Sequence, residues 1–554
     1  MFKRYNMITG CGKEQTFLLS PNAMEWLPEN DIVYAILKIL DLLDMTPFIS
    51  KYRADGSGSA FFDPRCMLGI IIYSMIRGEK SSRKIEICCN YDIGYRVIAQ
   101  NLTPDHTTMY RFKKNNSQAI KEIFKDLARI IVDSDITKLG VIALDGTKIE
   151  ANASLSANKK SKYIESELTR LFEESQEIDT FENKRDSTID IEKYRLTEPL
   201  IKIEKRKEVL TAAQEKLKER QQIEAEKQEK RICERKKIEE ERGKKKPGRK
   251  LSEPQKVPLP DTKVNLTDPD SQIMSTNHGL IQGLNGQIVV TEDQYILVAA
   301  LTDEQNDKKQ LIPMLKEINE LFSSTKSLEK PHTLVADAGY YSYENISAEP
   351  HYGIHFLIPN SKERKILDYA LNDGCISRIE QVCGMIVDDV NLTIAELASV
   401  GTCVWQEFLN QDKIATKQEI QKRIMDARVR SPSGREQYRK RKTMVEPVFG
   451  NIKHNFGFRR FSLKGKEKCE GEFLLAAISH NIVKIFVNSK LEKVVSYIRG
   501  NRGTSNKMEN NFVIELFVDR AIQLNSIKNR LWDRAIKSYF HFLSRFGKVK
   551  WTTV

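Results

Sequence analysis

The chain has 554 residues and a formal net charge of +13. That length holds roughly two to four structural units, and the positive balance favours an acidic partner, of which nucleic acid is the commonest. No apolar run approaches the ~20 residues of a membrane span, the opening MFKRYNMITG lacks the apolar stretch of a signal peptide, and nine cysteines without a CxxC pair argue against a disulfide framework, so a cytoplasmic protein is expected.

Residues 29–44 read as an amphipathic helix, with Ile32, Val33, Ile36, Leu37, Leu40 and Leu43 at helical spacing. A second helix starts after Asp63, with Pro64 in its first turn. Short helical pieces follow at 81–89, 91–99 and 104–115. The adjacent Cys88 and Cys89 fit core thiols on the first of these. The last carries Tyr110, Arg111, Lys113 and Lys114. Short helices ending in a basic, hydroxyl-bearing one suit a helix-turn-helix-like DNA reader; a small bundle with a solvated basic face is the plainer alternative. Another amphipathic helix spans 117–133.

Leu139 to Leu144 is a buried-strand signal that ends on Asp145-Gly146. An acid there is costly unless paired or metal-bound, although Asp-Gly is also a common turn. From 155 to 250 the chain becomes dense in Glu, Lys, Arg and Gln. It reads as a long charged helix or helical hairpin, interrupted near Pro199 and closed by the basic GKKKPGRK at 243–250. Strand signals return at Leu280–Val290 and Tyr295–Leu301, with Asn285-Gly286 and Glu292-Asp293 as turn dipeptides. A helix at 307–322 precedes a third apolar run, Thr333 to Ala336, again closed by an acid, Asp337, and then a strand at 354–359. This order fits a mixed sheet flanked by helices, an α/β fold.

Residues 361–430 form an insertion of unknown role. From Ser431 to Arg460 there are eight Lys/Arg and only two acids, Glu436 and Glu446. A lone carboxylate among cations suits a site that handles phosphates and holds a metal ion; a solvated basic helix is the bland reading. An apolar helix covers 471–486. The tail beyond 487 carries aromatics, including Phe512, Trp532 and Phe540, at roughly helical spacing. Three carboxylates, Asp145, Asp337 and Glu446, repel one another unless Mg2+ or Mn2+ neutralises them. Two such ions about 3.5–4 Å apart support in-line phosphoryl displacement.

LDGTKIEANAS, VADAGYY and VEPVFGNIK occur in this order, with HTTMYRFKK upstream. Together they resemble the DDE-type transposases of bacterial insertion sequences, over about residues 25–490 apart from the middle of 360–430. The resemblance implies a mixed-sheet, RNase H-like catalytic core from 136–154, 262–360 and 431–487. It implies a helical N-terminal DNA-binding region over 1–135, a charged helical insertion with a basic linker over 155–261, and a helical tail over 488–554. It implies that Asp145, Asp337 and Glu446 are the metal-binding triad.

The implied reaction is nicking at the element's ends, then attack of the freed 3′-hydroxyl on target DNA, with two Mg2+ or Mn2+ ions. The implied partner is double-stranded DNA, bound by a homodimer or larger assembly at the nucleoid. Lys453, Arg441, Tyr438, Arg459 and Arg460, with Arg111, Lys113 and Lys114, are the expected DNA contacts. Two departures stand out. Tyr438, Arg441, Glu446 and Lys453 follow the family's pattern except that four residues, not three, separate Arg441 from Glu446, and Lys442 occupies the three-residue position. The 360–430 segment lacks the paired cysteines of relatives. The competing expectations are a catalytically inactive, transposase-derived DNA-binding protein and a structural coiled-coil protein.

Overall fold

Val141 to Leu144 are almost wholly apolar, and such a run is stable only with sheet or helix on both faces. The computed structural model, which describes residues 23–52, 61–185, 198–242, 253–360 without His278, and 421–501 without 423, 424, 427, 430 and 431, puts this run at the middle of a six-stranded mixed sheet. The basic stretch 243–250, most of 361–430 and the aromatic tail residues lie outside the described residues. By packing, the chain forms one unit over Met1–Tyr497 and a second over Ile498–Val554.

The helices before the sheet are α1 (Ile32–Leu42), α2 (Thr46–Ile49), α3 (Pro64–Ile76), α4 (Ser82–Tyr91), α5 (Ile93–Ile98), α6 (His106–Asn115) and α7 (Ser117–Asp133). Aspartates start four of them. Asp31, Asp63, Asp92 and Asp105 accept the free N–H groups of Val33, Arg65, Tyr95, and Thr107 with Thr108, the groups a helix start leaves unpaired. Cys89 is buried in α4 as expected, and Cys88 is partly so.

The central strand β1 (Val141–Glu150) is longer than its apolar run. Asp145-Gly146 is not a turn: Asp145 pairs with Ile288 and Gly146 with Gln287 on β5 (Gly279–Thr291). The strand β2 (Asn158–Lys160) follows, then the charged hairpin α8 (Ser161–Arg185) and α9 (Glu198–Arg242). The hairpin has a small core of its own, with Ile164, Leu168, Leu210 and Leu217 buried together. Pro199 sits in the first turn of α9, where its missing N–H costs nothing.

The strands β3 (Lys263–Asn265) and β4 (Gln272–Thr276) come next, ahead of β5 and β6 (Ile296–Thr302). Asn285-Gly286 is no turn either. Asn285 pairs with Lys148 on one side and Thr302 on the other. Gly286 is needed because a Cβ there would lie 2.8 Å from the Phe473 ring. The reversal is at Glu292-Asp293, as expected. After α10 (Leu311–Ser324), β7 (Thr333–Ala336) runs parallel to β1, and β8 (His355–Leu357) runs parallel to β7, across the short α11 (Tyr343–Ser347) and α12 (Glu349–Tyr352). The order is β4-β5-β1-β7-β8, with β6 beside β4 on the outer edge of β5.

The basic segment forms α13 (Pro432–Gly450), which continues as a π-helical turn over Asn451–Asn455. The apolar α14 (Lys466–Val487) packs on β6 and also on α1, α3, α6 and α7. The N-terminal helices therefore share a core with the sheet's cover helix. The last described helix is α15 (Leu491–Asn501). Among the described residues no helix is long and apolar enough to cross a membrane.

Candidate active site

Parallel pairing of β1 with β7 puts Leu144 opposite Ala336. The next residue on each strand is an acid, so Asp145 and Asp337 stand side by side. Asp145 Oδ1 accepts the Gly146 N–H at 2.8 Å. Asp337 begins a short 3-10 turn and accepts the Gly339 N–H at 2.7 Å. Burial pushes the Asp145 carboxyl up to about 6, against the pull of Arg441 and the Gly146 N–H, and the charges of Asp337 and Asp307 push the same way. Burial also raises Asp337, with Asp307 adding to it and the Gly339 N–H and Arg441 opposing. Two neighbouring carboxylates in a low-dielectric site resist ionising together.

Asp307 is the acid that sequence reasoning missed. Its Oδ1 accepts from Asn285 Nδ2 and Gln287 Nε2, both at 2.8 Å. Both amides project from β5 beside Gly146, where a Cβ would collide with Gln287 Nε2 and come within 2.7 Å of Asp307 Oδ1. Tyr340, fully buried, hydrogen-bonds Gln287 Oε1 from the other side. In sequence, Asp307 reads as an ordinary helix-start residue; only pairing across β5 reveals its neighbours.

Helix α13 lies against β1, β5 and β7. It turns Arg441 inward, and Arg441 Nη1 donates to Asp145 Oδ2 at 2.8 Å, with both side chains at least four-fifths buried. The Tyr438 ring lies 6.0 Å from the Arg441 guanidinium carbon. Arg441 thus pairs with an acid of the site. Arg441 Nε is buried without a partner.

Glu446 is exposed on the same helix. Among the described residues no ion pair involves it, and no group of three His, Cys, Asp or Glu side chains is close enough to hold a metal ion. The structure brings Asp145 and Asp337 together and leaves Glu446 outside their immediate contact. Pro447 follows it inside the helix. A proline has no N–H for the carbonyl four residues back, here Thr443, and Gln294 Nε2 donates to that carbonyl at 2.8 Å instead.

Lys453 is half-buried in the π-helical turn, and its Nζ donates to Lys148 O of β1 at 3.1 Å. Arg459 is exposed, and Arg460 pairs with Glu150 at 2.6 Å. On α6, Arg111 and Lys114 are exposed. Lys113 points the other way. Its ammonium lies 3.4 Å from Glu472 of α14, with side chains only 11% and 5% exposed, so it joins the N-terminal helices to the core.

Residues 21–115 match a family model described as a transposase domain, and residues 402–486 match one described as a transposase DDE domain. The second match takes in Glu446 and Lys453; Asp145 and Asp337 lie between the two. No curated protein matches the chain.

Proposed function

Since the chain belongs to the DDE-type transposases of insertion-sequence type, we propose that it cuts DNA at the ends of its own element and joins the freed 3′-hydroxyl to target DNA. The observation that carries this is the side-by-side placement of Asp145 and Asp337 on parallel strands, with a basic helix laid across them. The sheet order supports an RNase H-like reading of the core: three antiparallel strands, β6-β5-β1, continue into two parallel ones, β7 and β8.

The donor chemistry fits a hard divalent ion. The paired groups are carboxylate oxygens, mutually repelling and partly buried, and the cation beside them is Arg441. Asp145, Asp337 and Glu446 would hold Mg2+ or Mn2+, and the bound ions would polarise the phosphodiester and activate the attacking water or hydroxyl. The chain's own groups orient the site. Gly146 and Gly339 N–H groups fix one oxygen of each aspartate. Arg441 holds the other oxygen of Asp145 and balances its charge. Glu446 must turn in from its exposed position to complete the set. Exposed Arg111, Lys114 and Arg459, with Lys453, would contact DNA phosphates. A homodimer or larger assembly on DNA ends belongs to the same reading.

The exposed position of Glu446 favours one alternative, a catalytically inactive DNA-binding derivative. The test is nicking of a plasmid carrying the element's terminal repeats, with Mg2+, by wild type, Asp145→Asn and Asp337→Asn. Wild-type nicking that both variants lose supports the proposal. Nicking that survives in Asp337→Asn sinks the assigned site. Specific binding without any cutting by the wild type supports the inactive derivative.

A further inference from the structure

A notch between the turn after α3 and the loop after α13 gathers cations from distant parts of the chain. Gly78 has a positive φ of 73°, and a Cβ there would lie 3.3 Å from Asn455 O. Gly457 has φ +61°, and a Cβ there would lie 3.4 Å from Lys80 Cε and Nζ. The two glycines let the turns meet and lay Lys80 on Gly457. Two residues on, Arg459 donates Nε–H to Lys453 O at 3.1 Å, and its Nη2 lies 2.9 Å from His454 Nδ1.

Burial lowers both Lys80 and Lys453 from the usual lysine range, and the charge of Arg459 adds to the effect on each. The nearby carboxylates are already engaged: Glu79 by Lys84, and Glu150 by Arg460. Among the described residues no ion pair engages Lys80, Lys453 or Arg459. Like charges held together without a counter-ion are unfavourable, and a phosphate group between them relieves that repulsion. Lys453 is tied to Lys148 of β1, three residues beyond Asp145, so the notch adjoins the strand that carries the candidate site.

We propose that Lys80, Lys453 and Arg459 together bind a backbone phosphate of the DNA. The N-terminal helical segment then holds the duplex through the turn before α4 as well as through α6. This inference rests on the transposase reading, which supplies DNA as the ligand.

The experiment measures binding of the full-length protein to a fluorescein-labelled random-sequence duplex of about 40 base pairs over a salt series, by anisotropy. Each phosphate contact contributes about 0.9 to the slope of log K against log salt. Lys80→Ala is expected to weaken binding and lower that slope by about 0.9, and Lys80→Arg to keep it. Lys160→Ala is the control, because Lys160 is exposed and paired with Asp261; it should leave the slope unchanged. Wild-type binding that Lys80→Ala leaves unaltered, or that Lys160→Ala weakens equally, overturns the phosphate notch alone. A wild type that binds no duplex overturns the DNA reading and this inference with it.

Discussion

His480 gives a pH dependence that can be worked from its contacts. It is 1% exposed in the middle of α14. Its Nδ1 lies 3.0 Å from Asn451 Nδ2, and its Nε2 lies 2.9 Å from Gln294 O. Asn455 Nδ2 donates to Asn451 Oδ1, which leaves Asn451 Nδ2 as a donor. The ring that satisfies both neighbours is neutral, with its proton on Nε2. Burial holds it down, to about 4 from 6.5, with the Lys484 charge helping and Gln294 O opposing. The unfolded chain therefore takes up a proton below pH 6.5 that the folded chain refuses until about pH 4. Stability is fully present above 6.5 and is lost as pH falls through that window. At 1.36 kcal/mol per pH unit the whole loss is about 3 kcal/mol, and about 2 kcal/mol of it is gone by pH 5. Urea unfolding followed by circular dichroism between about pH 7 and pH 5 measures it. His480→Gln keeps an acceptor and a donor but does not titrate, so its profile should lack this loss. The reasoning is refuted if His480→Gln loses as much stability as wild type over that range.

Gln294→Ala should destabilise by about 1 kcal/mol, because the Thr443 carbonyl loses its partner, and in a Pro447→Ala background the restored helical N–H should cancel most of that cost. Additive effects in a double-mutant urea cycle would show that the glutamine does not serve the gap left by the proline. Lys113→Met strands Glu472 among the N–H groups of Ser462 and Leu463 with no cation, a cost of about 3 kcal/mol. The same variant should leave the salt slope of DNA binding unchanged. A lower slope at unchanged stability would return Lys113 to the DNA-contacting surface.

Amphipathic helices were legible because their apolar residues repeat locally: Ile120, Ile123, Phe124 and Leu127 all face inward on α7. The apolar strands were legible for a similar reason. Asn285-Gly286 misled, and the turn alternative for Asp145-Gly146 fails for the same reason. Asp145-Gly146 and Asn285-Gly286 carry turn residues, but each is paired on both strand edges or pressed by a neighbour, and those neighbours are distant in sequence. Gly146 leaves room for the amides around Asp307, and Gly286 leaves room for Phe473. Asp145 and Asp337 stood out in the sequence because an acid closing an apolar run is anomalous by itself. Asp307 was not, since its surroundings come from β5. Sequence also placed Arg441 and Glu446 on one basic helix without showing which of them turns inward, because helix phase against a sheet is set by packing.

The shared core of α14 has a consequence for synthesis. β1 leaves the ribosome well before β5 and β7, the two strands that flank it, and α14, which covers α3 and α7, is made later still. Each of these closures spans a long stretch of chain, so it forms slowly compared with local helices. A product that stops before Lys466 leaves the inner faces of α3 and α7 bare to water. The helices proposed to hold DNA thus depend for their full packing on a segment made more than 300 residues after them.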